Sequence, residues 1–109
     1  MIDNHEKAME LLEKMKTHLP IPVVTTKELL NILRQNSIEF PKDHSFQIEN
    51  VLYMGDEGGI CCGISLPDDA KKAVVTSLTH LRIPPGHSLA KEIKSYQKKR
   101  VKKLAKQRW

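Results

Sequence analysis

The sequence predicts an α+β protein with two N-terminal helices, a three-stranded antiparallel meander and a long basic C-terminal helix. Three patterns predict this class. Apolar residues recur at helical spacing near the N-terminus, they alternate along the middle of the chain, and lysines crowd the C-terminal segment. At 109 residues the chain has the length of one small domain, which we predict to span residues 1–109.

The first helix is predicted within residues 1–19. Asp3 or Asn4 can cap its first turn, because a short side-chain oxygen can accept a hydrogen bond from a free backbone N–H group. Pro20 and Pro22 follow and stop the helix. The predicted buried stripe consists of Ala8, Leu11, Leu12, Met15 and Leu19.

The second helix is predicted over residues 25–36. Thr25 and Glu28 have the spacing of a capping box, in which each side chain satisfies a free backbone N–H group of the first turn. Asn36 is a plausible end. The predicted buried stripe consists of Leu29, Leu30 and Leu33.

The meander is predicted over residues 46–83. In its first strand, apolar residues of one parity are Phe46, Ile48, Leu52 and Met54, and in its second they are Ile60, Cys62, Ile64 and Leu66. The sequence GDEGG between them suits a five-residue hairpin connection. Pairing Met54 with Ile60 places both apolar sets on one face.

The third strand is predicted over residues 73–83, because the run AVVTSLTHLRI is rich in β-branched residues. Val75, Leu81 and Ile83 would then face the core. A helix that starts at Pro67 is the alternative interpretation. A sheet this small needs helices on its apolar face to be stable.

The C-terminal helix is predicted over residues 88–109, with Ser88 as its cap. This segment has nine basic residues and one acidic residue, a net charge of +8, whereas residues 1–87 have nine bases and twelve acids, a net charge of −3. Arg100 falls inside the apolar stripe of the helix. We therefore expect the helix to dock as far as about Tyr96 and then to leave the body, since a buried guanidinium needs a partner.

Six lysines of this helix form the candidate site. On a helical wheel they lie opposite the apolar stripe. They are Lys91, Lys94, Lys98, Lys99, Lys102 and Lys106. A row of lysines suits the phosphate backbone of RNA or DNA without reading base sequence.

Three other interpretations of the lysines remain open. They could be a solvated surface that keeps the protein soluble, or they could meet an acidic protein surface, including that of a second copy in a homo-oligomer. A membrane-surface role fits least well, because Arg100 divides the few bulky apolar residues.

The adjacent cysteines give a weak indication of catalysis. If the third strand paired Cys61 with His80, a thiol and a base would share the outer face of the sheet, and a slip of one residue would bring Cys62 to His80 instead. No orienting acid can be identified for either pair. Cys62 is expected in the core. Adjacent cysteines and scattered histidines lack metal-ligand spacing, and the glycines of the hairpin are followed by a strand. The sequence therefore predicts no catalytic residues, no metal and no cofactor.

The N-terminal residues and the cysteine content bear on location. The sequence MIDNHEKAMELLEK has no apolar signal region, and no apolar run approaches the roughly 18 residues that span a bilayer. Two adjacent cysteines cannot form a disulfide framework. We expect a protein of the reducing cytoplasm.

Overall fold

The computed structural model describes residues 4–35, 46–66 and 69–107. The chain order is α1 (His5–Thr17), β1 (Ile21–Val23), α2 (Lys27–Gln35), β2 (Phe46–Tyr53), β3 (Ile60–Leu66), β4 (Asp69–Ser77) and α3 (Ala90–Gln107). Two short 3-10 turns lie at Gly55–Glu57 and Leu78–His80. The predicted α+β class is confirmed.

Within the described residues the sheet has four antiparallel strands in the order β1-β2-β3-β4, one more than the three that were predicted. The missed strand, β1, lies in the segment predicted only to stop the first helix. Ile21 stands opposite Ile48 and Val23 opposite Phe46, and all four side chains are buried. Pro22 is exposed. Proline has no N–H group to donate, and an edge strand tolerates it because one side of that strand has no neighbouring strand to pair with.

The β2–β3 hairpin differs from its predicted register by one residue. Tyr53 stands opposite Ile60, and a bulge lies between Ile48 and Asn50. A bulge inserts one extra residue, so the side chains beyond it change faces. Val51 is therefore buried, whereas Leu52 and Met54, both predicted to face the core, are 40% and 49% exposed.

The third predicted strand is a strand, β4, and the alternative helix was wrong. The strand ends at Ser77, however, earlier than predicted, and the 3-10 turn that follows resets which side chains face inward. Leu81 and Ile83 are buried as predicted, but Val75 is 60% exposed. Side chains alternate between the two faces of a sheet only while the chain stays extended. The turn at Leu78–His80 interrupts this alternation, so Val75, contrary to the prediction, does not face the core together with Leu81 and Ile83.

Within the described residues, the N-terminal cap of α1 agrees with the prediction, whereas the starts of α2 and α3 differ from it. The Asn4 side chain accepts a hydrogen bond from Lys7 N at 3.2 Å, so this cap of α1 is confirmed. In α2, Thr26 accepts from Leu29 N at 3.1 Å, and Glu28 reaches His80 rather than forming the predicted box with Thr25. The predicted end of α2 at Asn36 lies outside the described residues.

α3 begins at Ala90, two residues after its predicted start. The backbone ahead of it is held by His87, whose ring accepts a hydrogen bond from Leu89 N at 3.1 Å. Ser88 is therefore not the cap. The first hydrogen bond into the helix runs from Ile93 N to Leu89 O at 2.9 Å.

One core joins the helices to the inner face of the sheet. α1 packs against β2 and α3, and α3 also packs against the turn at Leu78–His80. The largest side chains at this core include Met15, Leu29, Phe46, Ile64 and Ile93, each at most 1% exposed. In the part of the chain that the structure describes, no helix is both long and apolar enough to cross a bilayer.

Candidate functional site

α3 is fixed to the body by polar contacts as well as by its apolar stripe. The Tyr96 hydroxyl accepts a hydrogen bond from Ile60 N at 2.9 Å. The Gln97 side-chain amide donates to the carbonyl oxygens of Leu78 and Leu81, both at 2.6 Å. These bonds satisfy backbone groups at the end of a strand and in a turn, so they fix the rotation of α3 about its own axis.

Arg100 lies in the packed face of α3 and is only 3% exposed. The expectation that the helix leaves the body after Tyr96 was therefore wrong, because docking continues for one more turn. Among the described residues, no buried side-chain nitrogen or oxygen lacks a hydrogen-bond partner, as burial of a charged group requires. Val101, the next residue, lies at the edge of the apolar stripe and is 54% exposed, and Leu104, one turn after Arg100, is half-buried.

The six lysines of the candidate site are all exposed. They lie on one unbroken helix, in an arc of about 140° at 100° per residue, and they extend along about 22 Å of its axis. We refer to this surface as the lysine face. It is defined by Lys91, Lys94, Lys98, Lys99, Lys102 and Lys106.

No residue of the lysine face forms an ion pair within the described ranges. The ion pairs found there join Lys14 to Glu92 at 3.0 Å, Lys16 to Glu13 at 3.3 Å, and His80 to Glu28 at 2.8 Å. Glu92, the one acidic residue of α3, is therefore held by α1. The positive potential of the lysine face is left without a neutralising carboxylate from the described body.

A groove between α1 and α3 was not predicted. It has a volume of about 370 Å³, and Lys91 and Lys99 line it as well as belonging to the lysine face. It depends on the angle and separation of two helices that are far apart in sequence. Two of its lining residues, Ala8 and Ser95, are small, and this is a weak sequence signal for such a space.

The cysteine and histidine interpretation fails on geometry. Cys61 stands opposite Ser77, three residues from the predicted partner His80, and the His80 ring contacts Glu28 instead. Cys61 stands opposite Leu52 on the outer side of the sheet, as predicted, but it is only 7% exposed. A thiol–base pair between these residues is absent from this part of the fold.

Both thiols are also poor nucleophiles. Burial raises the pKa of the Cys61 thiol, and the positive charge of Arg100 offsets part of that rise. Burial, together with the adjacent Cys61, raises the pKa of the Cys62 thiol to about 12. The thiolate is the reactive form, so neither side chain has the lowered pKa of a catalytic cysteine.

The described residues contain no group of three or more His, Cys, Asp or Glu side chains that could hold a metal ion. Comparison of the chain with known protein families, with curated proteins and with solved structures found no match.

Proposed function

We propose that this protein binds a polyanion, such as RNA or DNA, through the lysine face of α3. The proposal is one of binding rather than catalysis, in a protein of the cytoplasm. The observation that carries it is that six exposed lysines lie along one side of a single helix and form no ion pair within the described residues.

The rigid attachment of α3 supports the proposal. Tyr96, Gln97 and Arg100 fix the helix on the body, so the lysines opposite them project together into solvent. A fixed row of ammonium groups meets a phosphate backbone without first losing the freedom of a disordered tail. Binding releases condensed counterions, which supplies the free energy and makes the affinity sensitive to salt.

The expected binding is independent of base sequence. Lysine side chains contact phosphate as point charges, and phosphate contacts position a protein without reading bases. Tyr96 is committed to the backbone of β3, so its hydroxyl is not available to a base. Trp109, the other aromatic residue of the C-terminal segment, lies outside the described residues.

The second candidate is a protein-interaction role with an acidic partner or with a second copy of the chain. Its support comes from a different surface. The register places Leu52 and Val75 on the outer face of the sheet, and they are 40% and 60% exposed. Exposed apolar side chains that form one contiguous patch are typical of contact surfaces. A mass in light scattering that rises with concentration would favour this candidate.

The polyanion proposal is tested by fluorescence anisotropy with a generic RNA or DNA duplex over a series of salt concentrations. If about five phosphates are neutralised, log K should fall against log salt with a slope near −4.5. The double variant Lys94→Gln and Lys98→Gln removes two of these charges. Its slope should flatten to about −2.7, because each phosphate contact contributes about 0.9.

The matched control is the double variant Lys16→Gln and Lys27→Gln. It makes the same change in net charge at two exposed helical positions of α1 and α2. Its salt slope should equal that of the unmodified chain. Equal effects of the two variants would show that only net charge matters, and binding that does not depend on salt would refute the proposal.

A further inference from the structure

The groove between α1 and α3 has the size of a small-molecule site. Its volume of about 370 Å³ falls in the range of roughly 300–1,000 Å³ that is usual for ligand pockets. Two of the side chains that line it are small, Ala8 on α1 and Ser95 on α3. Larger side chains there would fill the space by packing helix on helix.

The groove is positively charged. Four exposed lysines line it against two carboxylates, Glu10 and Glu92, which leaves a net charge of +2 (four minus two), and the buried Arg100 adds a positive charge that is already engaged within the packed face. One of these carboxylates, Glu92, is already engaged by Lys14. The cationic side chains of the lining are Lys7, Lys91, Lys99, Arg100 and Lys103.

The groove also has a fixed apolar wall. Leu11 is buried in α1, and the ring of Tyr96 is held in place by the bond between its hydroxyl and Ile60 N. An apolar wall in the same groove as several cations complements a molecule that has both an apolar body and an anionic head. Inorganic phosphate alone would leave the wall uncovered, and a neutral hydrocarbon would leave the charges unmatched.

We propose that the α1–α3 groove binds a small amphiphilic anion, a carboxylate or sulfonate on an apolar body. The body lies against Leu11 and Tyr96, and the head lies among the cationic side chains. This site goes beyond polyanion binding, because its ligand is a small molecule and because Lys103, which lines the groove, is not part of the lysine face. The two surfaces share only Lys91 and Lys99.

The probe is anilinonaphthalene sulfonate, an aromatic sulfonate whose fluorescence rises when its rings leave water. Titration of the full chain should show one saturable site. Octanoate should displace the probe, whereas octanol, which has the same chain length without the charge, should displace it at least about tenfold less well, because only the carboxylate pairs with the cations.

Two pairs of variants locate the site. Ser95→Phe fills the groove from an exposed position and should weaken probe binding about tenfold or more, whereas Val101→Phe, on the same helix outside the groove, should not. Lys103→Glu should weaken binding by a similar factor, whereas Lys102→Glu makes the same charge change one residue away, outside the lining. Far-ultraviolet circular dichroism and the urea midpoint check that each variant is folded.

The same variants separate this proposal from the polyanion proposal. Lys102→Glu should weaken binding of the duplex and leave the probe unaffected, because Lys102 belongs to the lysine face and does not line the groove. Probe binding that survives Ser95→Phe, or that is lost equally in Lys102→Glu and Lys103→Glu, would overturn the groove site. Failure of duplex binding alone would leave it standing.

Discussion

The helices α1 and α3 pack against the same core, yet their exposed surfaces differ in the sign and balance of their charges. α1 has three glutamates and three lysines, whereas α3 has eight basic residues and one glutamate, a net charge of +7. Lys14 and Lys16 of α1 are both in ion pairs. None of the six lysines of the lysine face is, within the described residues.

This difference separates what packing needs from what it leaves free. Both helices bury an apolar stripe, and a mixed-charge surface such as that of α1 is sufficient for a soluble packed helix. The almost uniformly positive charge of the exposed surface of α3 is not needed for packing. It lowers the stability of the helix, because like charges four residues apart repel each other. The lysine face of α3 lowers stability, and packing does not require it. For this reason it is the surface at which we expect binding.

The largest expected effect tests whether the two helices are equally part of the core. Met15→Ala in α1 and Ile93→Ala in α3 each remove a side chain that is at most 1% exposed. Each should lower the free energy of unfolding by about 2–5 kcal/mol, because the surroundings close only partly around the lost volume. Urea denaturation measures this. A small loss for Ile93→Ala beside a large one for Met15→Ala would mean that α3 is only loosely attached.

An intermediate change in the free energy of unfolding is expected at Arg100. This residue places a charge in the packed stripe of α3, whereas the packed stripe of α1 contains none. Arg100→Ala should lower the free energy of unfolding by about 2 kcal/mol, since it removes a buried side chain and its hydrogen bonds. Arg34→Ala, at an exposed position of α2, should change it by no more than about 0.5 kcal/mol. If urea denaturation gave equal losses for Arg100→Ala and Arg34→Ala, the docked part of α3 would end at Tyr96, as first predicted.

The smallest expected change in the free energy of unfolding comes from replacing one lysine by glutamate, and it has opposite signs in α3 and α1. Lys98→Glu should raise the free energy of unfolding by about 0.5–1 kcal/mol at low salt, because it replaces repulsion from Lys94 and Lys102 with attraction. Lys16→Glu should lower it by a few tenths, up to about 0.5 kcal/mol, because Lys16 pairs with Glu13.

Thermal or urea unfolding at low and at high salt checks both variants, and added salt should reduce both effects by screening. The same sign for the two substitutions would contradict the comparison of α1 with α3. A stabilising Lys98→Glu that also weakens duplex binding would show that the lysine face is retained at the expense of stability.

The success of the sequence predictions varied with the range of the interactions involved. Asn4 was one of the two predicted caps of α1, because the cap and the backbone N–H group of Lys7 that donates to it lie within one turn. The face of Leu52 and Met54 was predicted wrongly, since the bulge beside Asn50 is set by pairing with β3. β1 was missed because three residues around a proline show no periodicity of their own and become a strand only when β2 lies beside them.

The candidate site divides in the same way. The lysine face depends on spacing within one helix, so its six members could be placed on one side before any fold was available. The burial of Arg100 could not be predicted, because it depends on how far the body extends along α3. The groove that Lys103 lines could not be predicted either, because its walls come from residues about ninety positions apart.

The sequence by itself determined the α+β class, the bounds of the helices to within a few residues and the clustering of lysines along one side of α3. These features follow from short-range periodicity and from charge, which each segment has before it meets any other. The tertiary structure decided the fourth strand, the hairpin register, the burial of Arg100 and the space between α1 and α3. Each of these depends on which distant segment becomes a neighbour, and that choice is made by packing of the whole core.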